Sequence, residues 1–116
     1  MSKSQLEDAF WEAWMNTFPN LPEPDRQLKP LKGRQYKLDF AWVYPTIKLG
    51  VEIQGGSFTR GGHNTGVGQA RDYEKNNLLV QDGWKMLYFN TQQLKDLDAC
   101  VLITAEVLTG AEVVDV

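Results

Sequence analysis

The chain has 116 residues, of which 42% are hydrophobic, so it is long and apolar enough to form one packed domain over residues 1–116. Charged residues make up 23%, which is typical of globular rather than disordered proteins. The single cysteine, Cys100, excludes an internal disulfide and a cysteine-rich metal site, so a reducing cytoplasm is expected. The apolar runs are far shorter than the ~20 residues that cross a bilayer, so no membrane association is expected.

Positive charge is concentrated in the middle of the chain, although the net charge is −3. Between Arg26 and Lys85 there are ten Lys or Arg and five Asp or Glu, a local net charge of +5. A basic central region is compatible with phosphate binding. By itself, this pattern does not distinguish nucleic-acid binding from a solvated basic face.

The first predicted element is an amphipathic helix. Ser4 and Glu7 have the spacing of a capping box that opens it, and Pro19 follows its end. One apolar face is formed by Leu6, Ala9, Phe10, Ala13 and Trp14. Trp11 and Met15 lie off this face, and an exposed tryptophan there indicates a subunit interface.

Three strands are predicted next, at residues 26–31, 35–43 and 48–54, with a turn at residues 32–34. The second strand alternates, which places Tyr36, Leu38, Phe40 and Trp42 on one face and Lys37, Asp39 and Ala41 on the other. The third strand alternates as well, with Glu52 and Gln54 on its polar face.

Residues 55–68 hold six of the ten glycines and predict a long functional loop. A helix over residues 69–81, a short buried strand over residues 84–89 and a last helix over residues 91–108 follow. Gly83 ends the first of these helices, and Thr91 is the expected N-cap of the second. The order α-β-β-β-α-β-α predicts an α/β fold with a mixed central sheet flanked by helices, plus a C-terminal helix.

Asp39 and Glu52 lie on the polar faces of two neighbouring predicted strands. Two carboxylates that converge across such strands form an all-oxygen site suited to Mg²⁺, with Mn²⁺ as a substitute. The alternative is that both acids face solvent on an amphipathic sheet, and their spacing leaves both interpretations open.

The segment LDFAW followed by VEIQGG resembles the D-x(n)-E-x-K signature of the PD-(D/E)XK nuclease superfamily. The continuation GGHNTGVGQARDYEKNNLLVQDGWKMLYF is similar to small phage-type endonucleases, including Holliday-junction resolvases, in which a Gly/His loop precedes D-x-x-K-x-N and a final G-W strand. The resemblance covers residues 4 to 90 approximately. It implies a restriction-endonuclease-like αβββαβ core.

By this resemblance, Asp39 and Glu52 correspond to the metal-binding acids, and the backbone carbonyl of Ile53 corresponds to a further ligand. Glu7 corresponds to an acid of the first helix that approaches the metal, and its role in the capping box is the alternative. Gln54 stands where the motif usually has lysine, and an amide carries no positive charge. Lys75 is the candidate replacement, because some members carry this lysine on the following helix.

Lys75 shares a helical stripe with Asp72, Asn76 and Leu79, although a solvent-exposed lysine is the alternative. His63, the sole histidine, is a candidate general acid or phosphate contact, and a surface histidine is its alternative. The expected DNA contacts are Arg60, His63, Gln69, Arg71 and Lys75. Phe58 either stacks on a base or docks its loop onto the core.

The resemblance implies a Mg²⁺-dependent DNA endonuclease that hydrolyses phosphodiester bonds and needs no organic cofactor. The small size favours selection of branched or junction DNA over long sequence recognition, and two active sites suit a homodimer. A phage-encoded enzyme of this kind would act in the host cytoplasm. Two alternatives remain: a mismatch or nicking endonuclease of the very-short-patch type, and a catalytically inactive nucleic-acid-binding module.

Overall fold

The computed structural model describes residues 1–54 and 66–110, except for the side chains of residues 66–69. Its elements are α1 (Lys3–Thr17), β1 (Asp25–Leu28), β2 (Leu38–Tyr44), β3 (Ile47–Gln54), α2 (Gly66–Gln81), β4 (Trp84–Asn90), a 3-10 helix (Gln93–Lys95) and α3 (Leu97–Thr109). These ranges form an α/β domain with a mixed four-stranded sheet, and the predicted order of elements is confirmed. No helix within them is long and apolar enough to cross a membrane.

The strands lie in the order β1-β2-β3-β4 across the sheet. Pairing is antiparallel between β1 and β2 and between β2 and β3, whereas β3 and β4 are parallel. A parallel pair needs a crossover connection, and α2 lies in the one between β3 and β4. The carboxyl ends of β3 and β4 therefore meet at one edge of the sheet, where Glu52 is opposite Tyr88.

Two apolar clusters hold helices against the two faces of the sheet. The larger cluster joins α1 and α3 to one face, and its aromatic members pack ring against ring, with 4.9 Å between the centroids of Phe10 and Phe40. The smaller cluster joins Leu79 of α2 to the other face. It consists of Leu38, Ala41, Leu79 and Trp84.

One backbone carbonyl links α1 to the sheet. The indole Nε1 of Trp14 donates to the Pro22 oxygen at 3.1 Å, and that of Trp42 donates to the same oxygen at 2.8 Å. Both indoles are almost fully buried, and a buried indole N–H needs an acceptor. The proline-rich segment after α1 thus provides the acceptor that both tryptophans need.

The cap of α1 differs from the prediction. Ser2 is the N-cap, since its Oγ accepts from the Gln5 amide at 3.1 Å while the Gln5 Oε1 accepts from the Ser2 amide at 2.8 Å. The predicted box of Ser4 and Glu7 is wrong, because the N-cap, Ser2, lies two residues before Ser4. Glu7 is thereby free of capping and is buried instead.

Other element boundaries also differ. The first strand is Asp25–Leu28 rather than residues 26–31, and α2 begins at Gly66 rather than residue 69. Thr91 does not cap the last helix: a 3-10 helix intervenes, and Asp96 Oδ1 accepts from the Ala99 amide at 3.1 Å. An aspartate closer to the apolar run therefore supplies the cap.

The predicted alternation in β2 breaks at its start. Phe40 and Trp42 belong to the larger cluster as predicted, but Leu38 packs with Ala41 in the smaller cluster on the α2 side. The pairing of β2 with β3 ends at Phe40 and Val51, whereas Leu38 still pairs with Leu28 of β1. Gln27, which lies opposite Asp39 between two paired positions, has a positive φ of 56°, so the regular alternation is interrupted at Gln27 and Asp39.

The predicted exposure of Trp11 is also wrong. Trp11 and Met15 are partly buried, and both pack against the larger cluster. A helix that packs against both a sheet and a neighbouring helix buries more than one narrow stripe, because apolar neighbours approach it from two sides.

Candidate active site

Asp39 lies where β2 and β3 stop pairing, and its side chain is buried. Its Oδ2 accepts a hydrogen bond from the Ile53 amide at 2.7 Å. The carboxylate thus binds a backbone donor of β3 just beyond the last paired residues. This contact fixes Asp39 beside the Glu52–Ile53 part of the neighbouring strand. The sharing of one ion by the two carboxylates stays a prediction.

Lys3 of α1 joins Asp39 to a second buried acid. Its Nζ lies 2.9 Å from Asp39 Oδ1 and 3.1 Å from Glu7 Oε2. The Gln27 amide donates to Glu7 Oε1 at 2.9 Å and to Asp39 Oδ1 at 3.4 Å. Two carboxylates therefore share one ammonium and one amide, which compensates for the cost of burying their charges.

The pKa of Lys3 reflects this arrangement. Burial alone lowers the pKa of Lys3, but hydrogen bonds to Asp39 and Glu7 outweigh burial, so that the pKa lies above its ordinary value. Lys3 is accordingly a firmly charged partner for both acids.

Glu52 is paired from the opposite layer, by Lys75 of α2. The Lys75 Nζ donates to Glu52 Oε1, and the two side chains are only 17% and 18% exposed. The ammonium also lies 5.9 Å from the centroid of the Tyr36 ring, within the range of a cation–π contact. The alternative of a solvent-exposed Lys75 is therefore wrong.

Glu52 and Asp39 act on each other electrostatically. Burial raises the pKa of Glu52 above its ordinary value, the bond to Lys75 opposes this rise, and the charge of Asp39 adds to it. The charge of Lys3 lowers the same pKa. These side chains form one group at the end of the sheet, the acid–lysine cluster, composed of Lys3, Glu7, Asp39, Glu52 and Lys75.

A small cleft of about 110 Å³ opens beside Glu52 on the α2 side. Its walls are Glu52, Gln54, Asp72, Lys75, Asn76 and Tyr88. The Tyr88 hydroxyl donates to Asn76 Oδ1 at 2.5 Å, and burial and then the charges of Glu52 and Asp72 raise the pKa of Tyr88. The cleft gives a ligand access to Glu52 and Lys75 between α2 and the end of β4.

The structure brings most of the predicted site residues together. Glu7, Asp39, Glu52 and Lys75 belong to the cluster, and Gln54 lines the cleft with an exposed side chain. Burial and the hydrogen bond to Glu74 raise the pKa of Tyr36, and the charge of Arg71, which is exposed on α2 nearby, opposes this rise. The predicted roles of Phe58, Arg60, His63 and the Gln69 side chain lie outside the described residues.

Sequence reasoning missed Lys3, Gln27 and Tyr88. The i, i+4 spacing of Lys3 and Glu7 was a usable signal for an ion pair on one helical face. Tyr88 was also accessible, because it follows Trp84 and Met86 at intervals of two residues along β4 and so shares their face. No sequence signal places Gln27 beside Glu7, because a positive φ of 56° at Gln27 sets the local backbone.

The donors of the cluster have the chemistry that a hard divalent cation prefers, namely carboxylate oxygens and a nearby strand carbonyl. Two ammonium groups already balance these acids, Lys3 on Asp39 and Glu7, and Lys75 on Glu52. Within residues 1–54 and 66–110, no group of three or more His, Cys, Asp or Glu is arranged as a metal site. The oxygen donors therefore fit such an ion in type, and a bound ion would compete with Lys3 for the Asp39 carboxylate.

Comparisons of the chain with models of protein families, with curated proteins and with solved structures found no match. The likeness to PD-(D/E)XK nucleases therefore stays an expectation from the motifs. The chemistry of the acid–lysine cluster is the basis on which a function is assigned.

Proposed function

We propose that this protein is a metal-dependent DNA endonuclease with a restriction-endonuclease-like fold, which hydrolyses phosphodiester bonds at the acid–lysine cluster. The observation that carries the proposal is the meeting of Asp39, Glu52 and Lys75 where β2 and β3 stop pairing. One buried acid, Asp39, and a largely buried pair, Glu52 and Lys75, beside an open cleft are costly to maintain for stability alone. A carboxyl whose pKa is raised by burial and by a neighbouring acid, as that of Glu52 is, is typical of catalytic sites.

Asp39, Glu52 and the Ile53 carbonyl are the proposed ligands of Mg²⁺, with Mn²⁺ as a substitute. A bound divalent ion polarises a phosphate oxygen and lowers the pKa of its water. Asp39 is held in place for this role by the Ile53 amide at 2.7 Å, and Glu7 lies on the other side of Lys3 as a further acid. Burial and the Ile53 bond fix the orientation of the carboxylate before any ligand arrives.

Lys75 and Gln54 share the tasks of the usual motif lysine in this proposal. Lys75 reaches Glu52 across the cleft, where its ammonium stabilises negative charge on a phosphate. Gln54 lies two residues after Glu52 on β3 and lines the same cleft, so its amide is placed to orient the attacking water. The positive charge and the hydrogen-bonding group would thus come from two residues instead of one.

Branched or junction DNA is the proposed substrate, cut by two active sites of a homodimer without an organic cofactor. Action in the host cytoplasm follows if the chain is phage-encoded. A mismatch or nicking enzyme built on the same cluster is the second candidate. Gln54 is the observation that favours the third, an inactive nucleic-acid-binding module, because a neutral amide stands at the lysine position.

A cleavage assay on linear, mismatched and four-way-junction DNA tests the proposal. The wild type is expected to cut with Mg²⁺ or Mn²⁺ and to be inactive in EDTA, whereas Asp39→Asn and Glu52→Gln lose at least about a hundredfold in rate. Asp98→Asn is the control, because it removes the same charge from an exposed position on α3. Binding without cutting of any form by the wild type supports the inactive module, and equal activity of Asp39→Asn overturns the proposed site.

A further inference from the structure

Residues 29–37, here named the basic segment, carry positive charge that the cluster does not use. Lys29, Lys32, Arg34 and Lys37 lie within this stretch of nine residues, which contains no acid, in a chain of net charge −3. All four side chains are exposed. Within residues 1–54 and 66–110, no acid forms an ion pair with Lys32 or Lys37.

The basic segment is folded and held in place. The Arg34 amide donates to the Leu31 carbonyl at 3.1 Å in a turn where Gly33 has a φ of 79°. Leu31 packs against the smaller apolar cluster below α2. The Lys29 Nζ also donates to Gln35 Oε1 at 3.0 Å across the turn. The charges are thus presented on a defined surface.

This surface lies beside the Glu52–Lys75 pair. Arg34 and the Tyr36 hydroxyl both bind Glu74 of α2, at 2.7 Å and 3.0 Å. Glu74 precedes Lys75, whose ammonium lies 5.9 Å from the Tyr36 ring. The charge of exposed Arg71, about one helical turn before Lys75, also acts electrostatically on the Tyr36 phenol. Basic side chains therefore extend from α2 to the basic segment along the side of the cleft, with Glu74 between them as the partner of Arg34.

The opposite face of the domain has the opposite charge. Asp96 caps α3, and Asp98 and Glu106 lie within that helix, which contains no Lys or Arg. Because α3 packs on the other face of the sheet from α2, the acids of α3 lie opposite the basic segment. The two bases and two acids of α2 cancel, so the positive excess on that side comes from the basic segment. Such a distribution orients a polyanion toward the α2 side and away from α3.

We propose that the basic segment, together with Arg71, binds the phosphate backbone of a nucleic acid and holds it along the cleft at Glu52. The proposal rests on the endonuclease function in assigning DNA as the polyanion. Phosphate contacts of this kind supply affinity and position without reading sequence. A strand that lies on the segment passes Tyr36 and reaches Lys75, so the surface would set which phosphodiester meets the cluster.

The test is the salt dependence of DNA binding, measured by anisotropy of a labelled four-way junction and a labelled duplex in Ca²⁺ over a sodium chloride series. The test variant Lys32→Gln/Lys37→Gln keeps Arg34, whose bond to Glu74 anchors the turn. The control Lys85→Gln/Lys95→Gln removes the same charge from two other exposed lysines. Lys85 alternates with Trp84 and Met86 along β4 and so faces away from α2.

We expect the test variant to bind about tenfold more weakly at ~0.1 M salt. The slope of log K against log salt, which is negative, should become less steep by roughly 1.8, because each lost phosphate contact removes about 0.9 from its magnitude. The control variant should keep the wild-type slope. Wild-type slopes in both variants, with normal cutting by the wild type, overturn the inference and leave the endonuclease proposal intact.

A lowered slope in a protein that never cuts DNA supports the surface and overturns the catalytic proposal instead. An absence of DNA binding by the wild type overturns the inference, and anionic lipid vesicles then test the alternative polyanion. Thermal unfolding of both variants confirms that each is folded before its binding is compared.

Discussion

The ammonium of Lys3 lies 2.9 Å from Asp39 Oδ1 and 3.1 Å from Glu7 Oε2, so one side chain from the first turn of α1 balances two buried acids. Nearly half of the Lys3 side chain is exposed, whereas Asp39 and Glu7 are buried. The arrangement resembles the charge balance that a bound cation would give. We therefore expect Lys3 to matter most when no divalent ion is bound.

Replacement of Lys3 should show how much its charge stabilises buried Asp39 and Glu7. Lys3→Met keeps the length and apolar stem but removes the charge, which leaves two buried carboxylates with less compensation. We expect a loss of about 1–2 kcal/mol in the free energy of unfolding in EDTA, below the values for fully buried pairs because Lys3 is partly exposed. Urea denaturation at neutral pH measures this loss.

Lys95→Met is the matched control, since it removes an exposed lysine outside the cluster. If the proposed metal site is correct, Mg²⁺ or Mn²⁺ should stabilise Lys3→Met more than the wild type, because the ion no longer competes with an ammonium. Equal stabilisation of both proteins by metal would show that Lys3 and the ion occupy independent positions.

The titration of Glu52 gives a second prediction. Burial is the largest cause of its raised pKa, Lys75 opposes the rise, and Asp39 adds to it. Lys75→Gln should therefore raise the pKa of Glu52 further, and Asp39→Asn should lower it. Nuclear magnetic resonance of the Glu52 side-chain carboxyl carbon follows both shifts directly. Shifts of the same sign in the two variants would contradict this account.

The same pKa has a consequence for stability. Because the folded-state pKa of Glu52 lies above its ordinary value of 4.5, the native state takes up this proton more readily than the unfolded state. The contribution of this group to stability is thus fully present below the unfolded pKa and is lost as pH rises through the folded pKa. Urea melts across this range, compared with those of Glu52→Gln, isolate this contribution.

The two serines near the amino end of α1 provide a third prediction. Ser2 satisfies the Gln5 amide, whereas Ser4 is exposed within the helix. Ser2→Ala should cost about 1 kcal/mol in the free energy of unfolding, and Ser4→Ala should change it little. Thermal and urea unfolding distinguish the two variants. A larger loss of stability in Ser4→Ala than in Ser2→Ala would instead support the capping box of Ser4 and Glu7 that the sequence predicted.

A fourth prediction concerns the residue that carries the positive charge at the cleft. Lys75→Met should lower the cleavage rate by about a hundredfold or more, because the ammonium beside Glu52 is lost. Gln54→Lys in that background restores a lysine at the motif position on the same cleft, and partial recovery is expected. Gln54→Lys in an otherwise wild-type chain is the control. If activity did not recover, Lys75 would serve only to maintain the structure of the site and not to supply charge to the reaction.

The sequence predicted the order of elements, the face of Glu52 and the stripe of Lys75, because all three follow from local patterns. Alternation set Glu52 on the polar face of β3, and helical spacing set Lys75 on the face of α2 that meets the sheet. The side chains of Glu52 and Lys75 point where the regular geometry of their own strand or helix directs them, toward one adjacent element.

The remainder depends on contacts between distant residues. Leu38 lies on the α2 side because the ladder between β1 and β2 is irregular at Gln27 and Asp39, and no local pattern reports such an irregularity. Ser2, rather than Ser4, caps α1 although both precede suitable residues, because the helix extends to Lys3 and the cap must precede it. The Gln27 backbone conformation likewise has no signature in a run of polar residues.

The carbonyl of Pro22, which accepts from two indoles, has a mechanical consequence. Trp14 belongs to α1 and Trp42 to β2, so any rolling of the helix about its own axis must lengthen one of the two bonds. Toward the amino end of the same helix, Glu7 and Lys3 lie about two and three turns from Trp14. Because a helix is stiff, fixing α1 at Trp14 also fixes the positions of Lys3 and Glu7 toward its amino end. Trp14 and Trp42, which lie outside the acid–lysine cluster, thus help to determine how accurately its acids are aligned.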